Sequence, residues 1–105
     1  MHAAEIPPGV QLESVWLAEI PYTSEAPDRR PAVRPEHLSR VARLLRAGTL
    51  IEVGGCTDWS KAVLIFRAPD EATVRRLVEE DIYTASGVWG EARITGYGRV
   101  VVTED

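Results

Sequence analysis

Two short segments of the chain carry the residues best suited to acid–base chemistry. Residues 34–38 read RPEHL and contain His37, while residues 80–89 read EDIYTASGVW and contain Asp81. Histidine moves protons near neutral pH, and a neighbouring carboxylate orients its ring and raises its basicity. We therefore predict that His37 and Asp81 form a catalytic pair. The alternative is that His37 makes only a local hydrogen bond at a helix end, and that Asp81 is an ordinary residue at the end of a helix.

Arg34 is a candidate ligand for an anionic substrate. Its guanidinium can pair with a carboxylate through two parallel hydrogen bonds, and a helix that begins close to it also favours negative charge. Arg29 and Arg30 could reinforce such a site. The alternative is that Arg34 is a surface residue paired with Glu36 or Asp28, and that the other two arginines are solvated.

The single cysteine and the glycine-rich turns give no sign of further chemistry. A lone cysteine such as Cys56 is usually a small apolar packing residue, so we expect it to be dispensable. The scattered histidines and carboxylates show no metal-ligand spacing. Glycines 54–55 and the segment 96–98 lack the phosphate-loop patterns. We therefore expect neither a metal nor a cofactor.

The composition is that of a small globular domain. The 105 residues are 45% hydrophobic and 27% charged, and the formal net charge is -4. A domain of this length buries only about 60 to 70% of the surface of its unfolded chain, so association with a second copy would add stability. The arginines are spread along the chain, which argues against a nucleic-acid partner.

The sequence also argues against an oxidising or membrane environment. One cysteine cannot form an intrachain disulfide. No segment approaches the roughly 20 apolar residues that cross a bilayer, and the first eight residues lack the charged and apolar regions of a signal peptide. We expect a cytoplasmic protein without a membrane partner.

The hydrophobic pattern of the first half predicts one strand and one helix. Residues 1–9 read as a flexible lead-in, so we expect a single domain over residues 10–105. Alternating apolar residues predict a strand at 10–20, and prolines with a charged cluster predict a long loop at 22–33. A helix should begin at Pro35 and stop at Gly48. Its solvated face is expected to hold three arginines, namely Arg40, Arg43 and Arg46.

The second half predicts three strands and a second helix. Strands are expected at 49–53 and 62–66, a helix after the capping residue Asp70, and a last strand at 88–94 that resumes at 100–102. The order is βαββαβ, with both helices on one face of the sheet. The run AVLIF at 62–66 is apolar throughout, as in strands buried on both faces. We therefore predict a homodimer through the open sheet face, the alternative being a monomer whose C-terminal segment covers that face.

The chain resembles the YciI-like family of small proteins over most of its length, from about residue 16 to residue 102. Arg34 and His37 lie at the family's positions near the start of the first helix, Asp81 opens its acidic motif, and Tyr83 matches its aromatic residue. Ile82 stands where the family usually has proline. The resemblance implies an α+β, ferredoxin-like fold with an antiparallel sheet, assembled as a dimeric α+β barrel. It also implies that His37 and Asp81 are catalytic and that Arg34 and Tyr83 bind substrate.

The residues and the resemblance together suggest a cofactor-independent enzyme acting on a small, cyclic, anionic metabolite. His37 would be the general acid and base, Asp81 would orient it, and Arg34 would hold a carboxylate or enolate. An isomerase, lyase or dehydrohalogenase reaction fits one proton shuttle in an apolar pocket. The tryptophans and tyrosines could line such a pocket, although core packing is their commoner role. The alternative is a non-catalytic dimeric module that binds a small molecule or modulates a partner protein.

Overall fold

A four-stranded antiparallel sheet carries three helices on one of its faces. The computed structural model describes residues 5–103, so His2 and the first part of the expected lead-in lie outside it. The strands stand in the order β2-β3-β1-β4, which is that of a ferredoxin-like βαββαβ unit. The predicted α+β class is therefore confirmed. In chain order the elements are β1 (Val10–Pro21), α1 (Ala26–Ala47), β2 (Leu50–Gly55), β3 (Lys61–Phe66), α2 (Glu71–Glu79), α3 (Ile82–Ala85) and β4 (Arg93–Val102).

The first helix is longer than the sequence predicts, because α1 begins at Ala26 and not at Pro35. The loop predicted for 22–33 is therefore wrong over most of its length. Proline disrupts a helix by removing a backbone donor, but Pro27 lies in the first turn, where that donor is not needed. Pro31 and Pro35 follow at intervals of four residues. All three prolines thus lie on one exposed side of the helix, where water can bond to the unpaired carbonyls.

Two of the predicted helix-end signals are confirmed. Gly48 ends α1 in the left-handed conformation, with φ of 79°, and its N–H donates to the carbonyl of Leu45. Asp70 caps α2, since its side chain accepts a hydrogen bond from the backbone N–H of Thr73 at 2.8 Å. No helix within residues 5–103 is long and apolar enough to cross a membrane.

The short helix α3 is absent from the predicted order and holds the second chemical segment. Asp81 is its N-cap, with extended backbone (φ -75°, ψ 139°), and its side chain accepts from the N–H of Tyr83 at 2.9 Å. The residue before a proline adopts this same extended conformation. Ile82 therefore occupies the position of the family's proline, at the first residue of the helix, and the turn keeps the path that proline would impose.

The last strand differs from the prediction at both ends. β4 runs without a break through Gly96 and Gly98, which the sequence pattern had placed in an interruption. Both glycines stay in the strand because β1 pairs with β4 along this whole stretch. The expected strand at 88–92 is wrong, since β4 begins only at Arg93 and Trp89 before it forms just an isolated bridge with Tyr22. Glycine thus weakens a strand but does not end it where the neighbouring strand continues.

The two faces of the sheet differ in what covers them. Alternate side chains of a strand point to opposite faces. Ala62, Leu64 and Phe66 of β3 are buried in the core beneath the helices, whereas Val63 and Ile65 point the other way and are only partly buried. Within one chain the apolar strand is therefore covered on one face, and not on both as the pattern predicts.

Candidate active site

His37 and Asp81 meet in the interior of the molecule, although they are 44 positions apart in the sequence. His37 lies on the buried side of α1, and Asp81 lies where α2 ends and α3 begins. Nδ1 of His37 is 2.8 Å from Oδ1 of Asp81, and the two residues are 5% and 2% exposed. An ionised carboxylate can only accept hydrogen bonds, so Nδ1–H of His37 donates. In the neutral ring Nε2 then keeps its lone pair, and no residue from 5 to 103 bonds to it.

Arg40 supports Asp81 from the other side. Its Nη1 donates to Oδ2 of Asp81 at 3.1 Å, and its Nη2 donates to the carbonyl of Leu77 at 2.8 Å. The Arg40 side chain is only 18% exposed, so its expected place on a solvated face is wrong. Arg40 follows His37 by three residues, which puts the two side chains next to each other on a helix. That spacing is the signal in the sequence that could have identified it.

The hydrogen bonds around Asp81 keep it ionised in spite of its burial. Burial acts to raise the pKa of the Asp81 carboxyl. The hydrogen bonds from His37 and from the Tyr83 N–H, together with the charges of His37 and Arg40, outweigh burial and hold that pKa below its ordinary value. A carboxylate fixed by three donors holds the imidazole in one tautomer and one orientation.

Two aromatic rings fix the plane of the imidazole. The ring of Tyr83 is stacked on that of His37, with centroids 3.6 Å apart and planes 10° from parallel. Trp89 is nearly perpendicular to His37, at 5.2 Å and 85°. The indole N–H of Trp89 is buried and has no acceptor within residues 5–103. A buried donor without a partner is costly, and the cavity-lining residue Trp89 therefore carries a polar group that the described chain does not satisfy.

A cavity of about 430 Å³ opens beside this cluster. It is bounded by α1, by the β2–β3 hairpin and by the segment that contains Tyr83 and Trp89. Of the four predicted site residues, His37, Tyr83 and Arg34 line the cavity, while Asp81 lies behind His37. Cavities that hold small molecules measure roughly 300–1,000 Å³. The volume is therefore suited to a small metabolite.

Two arginines in the cavity wall lack a carboxylate partner. Arg30 and Arg34 are one helical turn apart on α1, and neither forms an ion pair with any residue in the described part of the chain. Their charges reach the hydroxyl of Tyr83. Burial raises the pKa of that hydroxyl, and the two guanidinium groups act against the increase. Two neighbouring cations without counter-charges favour the binding of an anion.

Two expectations about the arginines need correction. Arg34 is not near a helix N-terminus, because α1 begins eight residues earlier at Ala26. The N-terminal field therefore does not add to its attraction for anions. Arg29 does not reinforce the site either, since it is engaged by Glu25 at 2.6 Å. The residue that does join Arg34 in the cavity wall is Arg30.

Cys56 lies exposed at the rim of the cavity and not in the core. The expected packing role is therefore wrong, because the residue begins the turn between β2 and β3. Its thiol takes no part in the hydrogen bonds of His37 and Asp81. Among residues 5–103 there is no group of three or more histidine, cysteine or carboxylate side chains that could hold a metal ion.

The strand order and the helices on one face define a ferredoxin-like α+β protein, and this one has a buried His–Asp contact beside a cavity. The model of the YCII-related domain family matches residues 14–97. The chain belongs to this family, and the resemblance seen in the sequence is confirmed. A comparison with curated proteins gives no match.

A solved structure with a similar fold is that of the 5-chloro-2-hydroxyhydroquinone dehydrochlorinase TftG from Burkholderia phenoliruptrix AC1100, in complex with 2,5-dihydroxybenzoquinone. The TM-score is 0.66 at 18% sequence identity, and the similarity covers 79% of this chain and 92% of that chain. At this identity the comparison supports the fold.

Proposed function

We propose that the protein is a cofactor-independent enzyme, of isomerase, lyase or dehydrohalogenase type, that acts on a small cyclic anion. The observation that carries this proposal is the buried 2.8 Å contact between His37 and Asp81 at the wall of a cavity that also holds two arginines without carboxylate partners. A base, its orienting carboxylate and an anion-binding pair are the groups that such a reaction needs.

The proposed chemical step begins at Nε2 of His37, which takes a proton from a carbon or hydroxyl of the substrate. When the proton comes from a carbon, the electron pair left behind forms a C=C bond, and when it comes from a hydroxyl, it forms a C=O bond. In the loss of chloride from an aromatic ring, the first hydroxyl becomes a ketone while the imidazolium returns its proton to the ring carbon that carries chlorine, and loss of a second hydroxyl proton then expels chloride. In an isomerisation the imidazolium returns its proton at another atom and no group leaves. Asp81 stabilises the imidazolium that forms, since the carboxylate is already hydrogen-bonded to Nδ1–H.

Arg30 and Arg34 bind the substrate through its negative charge. A guanidinium pairs with two oxygens at once and thereby fixes a planar anion in the plane of its own fork. Tyr83 contributes a protonated hydroxyl, because burial raises its pKa. His37, Tyr83 and the two arginines all line one cavity, which supports a common role for them.

The substrate class follows from this arrangement and from the relative with a similar fold. TftG is a dehydrochlorinase of a chlorinated hydroxyhydroquinone, and its complex holds a dihydroxylated quinone. Hydroxylated rings of this kind are planar and readily lose protons to become anions. A hydroxylated ring that carries a leaving group is therefore the substrate that we propose to test first.

We further propose that the protein is a homodimer through the open face of its sheet. Neighbouring side chains already bury Val15, but Leu17 and Ile65, which pair across β1 and β3 on that face, and Val63 beside them are only partly buried. These side chains form an apolar band that no helix of the described chain covers. A second copy would bury it, which is the arrangement of a dimeric α+β barrel.

Chloride release tests the proposed reaction. The protein would be incubated with 5-chloro-2-hydroxyhydroquinone, and affinity would be measured separately with 2,5-dihydroxybenzoquinone and with its uncharged dimethyl ether. Quinones react with thiols, so these measurements use a Cys56→Ser background. We expect enzyme-dependent chloride release and a preference for the charged quinone over the ether.

The matched control is Arg43→Ala, an exposed arginine of the same helix outside the cavity. It should behave like the parent protein, whereas His37→Ala should release chloride about 10²–10⁴ times more slowly, as for loss of a general base. Binding of the charged quinone without turnover of the chlorinated compound would favour the non-catalytic module. Equal turnover by His37→Ala would contradict the acid–base role.

A further inference from the structure

Trp59 has a backbone conformation that is unfavourable for its residue type. Its φ is 65°, and no other residue except glycine has a positive φ within residues 5–103. In this region the Cβ of a bulky side chain crowds the backbone, so glycine or asparagine is usual. At position 59 itself the turn uses only the backbone, because the N–H of Trp59 donates to the carbonyl of Cys56 at 3.0 Å. A glycine would form the same turn without strain.

The indole of Trp59 holds the side chain of Arg30. The Cζ of Arg30 lies 4.1 Å from the centroid of the indole. Tyr22 supports the indole from another side, edge-on at 5.3 Å and 66°. Tyr22 itself lies so close to Gly55 that a Cβ at that glycine would clash with its hydroxyl. Tyr22 and Trp59 are thus packed closely against the β2–β3 hairpin, across the cavity from α1.

Stacking is a way to fix a guanidinium without using its hydrogen bonds. A carboxylate partner would occupy the N–H groups of Arg30, whereas the face of an aromatic ring attracts the cation and leaves those donors free in the plane of the fork. Arg30 has no carboxylate partner within the described residues, and it lines the cavity together with Trp59. Backbone strain of this kind is typical of functional sites, where the side chain must be in one place.

We infer that Trp59 is a positioning residue of the anion site, which holds the Arg30 guanidinium ready to pair with two adjacent anionic oxygens of the ligand. This inference rests on the proposed function and specifies its substrate further. The ligand is a planar anion whose oxygens have the spacing of a carboxylate or of a deprotonated hydroxyl next to a carbonyl. An anion with a single isolated oxygen would gain less from a fixed fork.

The test is a double-mutant cycle between Trp59 and Arg30, read out as affinity for the charged quinone in the full-length Cys56→Ser protein. We expect Trp59→Gly to weaken this affinity about tenfold, within the range of a partly desolvated cation–π contact. The affinity for the dimethyl ether should change less than twofold. In an Arg30→Gln background, Trp59→Gly should also change the affinity for the charged quinone less than twofold, because the residue acts through Arg30.

Two further variants separate positioning from folding. Trp59→Phe retains an aromatic face and should recover most of the affinity. Trp59→Gly relieves the strain that Trp59→Ala keeps, so the glycine variant should have the higher melting temperature of the two while both bind the charged quinone equally weakly.

Three outcomes would overturn the inference. Equal losses for the charged quinone and its ether would make Trp59 a wall of the cavity, and equal losses with and without Arg30 would make it independent of the cation. No binding of the charged quinone by the parent protein would also contradict it. Failure of chloride release with intact, Trp59-dependent anion binding would instead reject the proposed reaction and leave this inference standing.

Discussion

The cavity and the open sheet face both contain charged residues beside apolar ones, but they differ in whether those residues have partners of opposite charge. On the open face, Glu13 accepts hydrogen bonds from Arg67 at 2.5 Å and from Arg99 at 2.8 Å, and Glu19 pairs with Lys61 at 2.6 Å. These pairs flank the apolar band of Val15, Leu17, Val63 and Ile65. In the cavity, by contrast, Arg30 and Arg34 are left without carboxylate partners among the described residues.

The difference indicates separate roles for the two surfaces. Exposed ion pairs contribute little to stability, but they neutralise charge around an apolar patch and can fix the orientation of a partner. Cations without counter-charges cost stability through mutual repulsion and are useful when a ligand supplies the negative charge. The open face is suited to a second protein copy, and the cavity is suited to an anion.

The largest effect that we expect concerns the buried pair in the cavity. His37→Ala and Asp81→Asn should each reduce kcat by about 10²–10⁴, since one removes the proposed base and the other the carboxylate that we propose orients it. The double variant should lose little more than either single variant, because residues that act as a unit are non-additive. Chloride release under saturating substrate measures all three rates. Losses that multiply would show two independent contributions.

The next prediction concerns the open face. Ile65→Lys should convert the proposed dimer into a monomer at micromolar concentration, because a charge would then lie in the apolar band of each copy. Light scattering measures the mass in solution. Leu64→Lys on the same strand should instead unfold the chain, since Leu64 is 2% exposed and faces the helices. Glu79→Lys on the exposed side of α2 is the control that should leave the mass unchanged. A monomeric parent protein would contradict the dimer.

The sequence predicts the core of the fold well because periodicity depends on burial. The β1 alternation and the stripe on α2 both follow from one covered face. Local signals mislead where tertiary contacts override them. Prolines predict a loop before residue 35, yet α1 tolerates them because they share an exposed side. Glycines at 96 and 98 predict a break, yet pairing with β1 continues the strand.

At the candidate site, the sequence predicts the contact between His37 and Asp81 better than it predicts the side chains around that pair. The contact between His37 and Asp81 follows from residue chemistry and from the family motifs. Arg40 is missed because a row of arginines at positions 40, 43 and 46 resembles a solvated face. Only its contacts with Asp81 and with the Leu77 carbonyl at the end of α2 show that the first of them is covered. Trp59 is missed because a positive φ has no signature in the sequence when the residue is not glycine.

Arg40 offers a smaller test of the buried pair. Arg40→Met should lower kcat about tenfold while KM changes little, because Arg40 touches Asp81 and does not line the cavity. It should also destabilise the fold by about 1–3 kcal/mol, since a buried carboxylate loses a donor. Arg40→Lys should restore part of kcat. Arg43→Met is the matched control. Equal increases in KM and decreases in kcat would indicate general disruption of the site instead of a positioning role.

The smallest effect that we expect is on acid stability, and it belongs to the open face. Hydrogen bonds from Arg67 and Arg99 lower the pKa of Glu13 to about 2. The folded pKa lies below the unfolded value of about 4.3, so the contribution of Glu13 is fully present above that value and is lost as the pH falls through about 2.

Glu13→Gln removes this linkage, and urea unfolding between pH 5 and pH 2 measures its size. The parent protein should be the more stable of the two at pH 5, and the difference should shrink steadily toward pH 2. Because Glu13 is partly open to water, solvent screens the pair and the difference should be small. Glu79→Gln, at an exposed carboxylate without an ion pair in the described chain, is the matched control. If the difference in stability between the parent and Glu13→Gln stays constant with pH, the arginines do not pair with Glu13 in solution. The ion pairs beside the apolar band would then not explain the design of the open face.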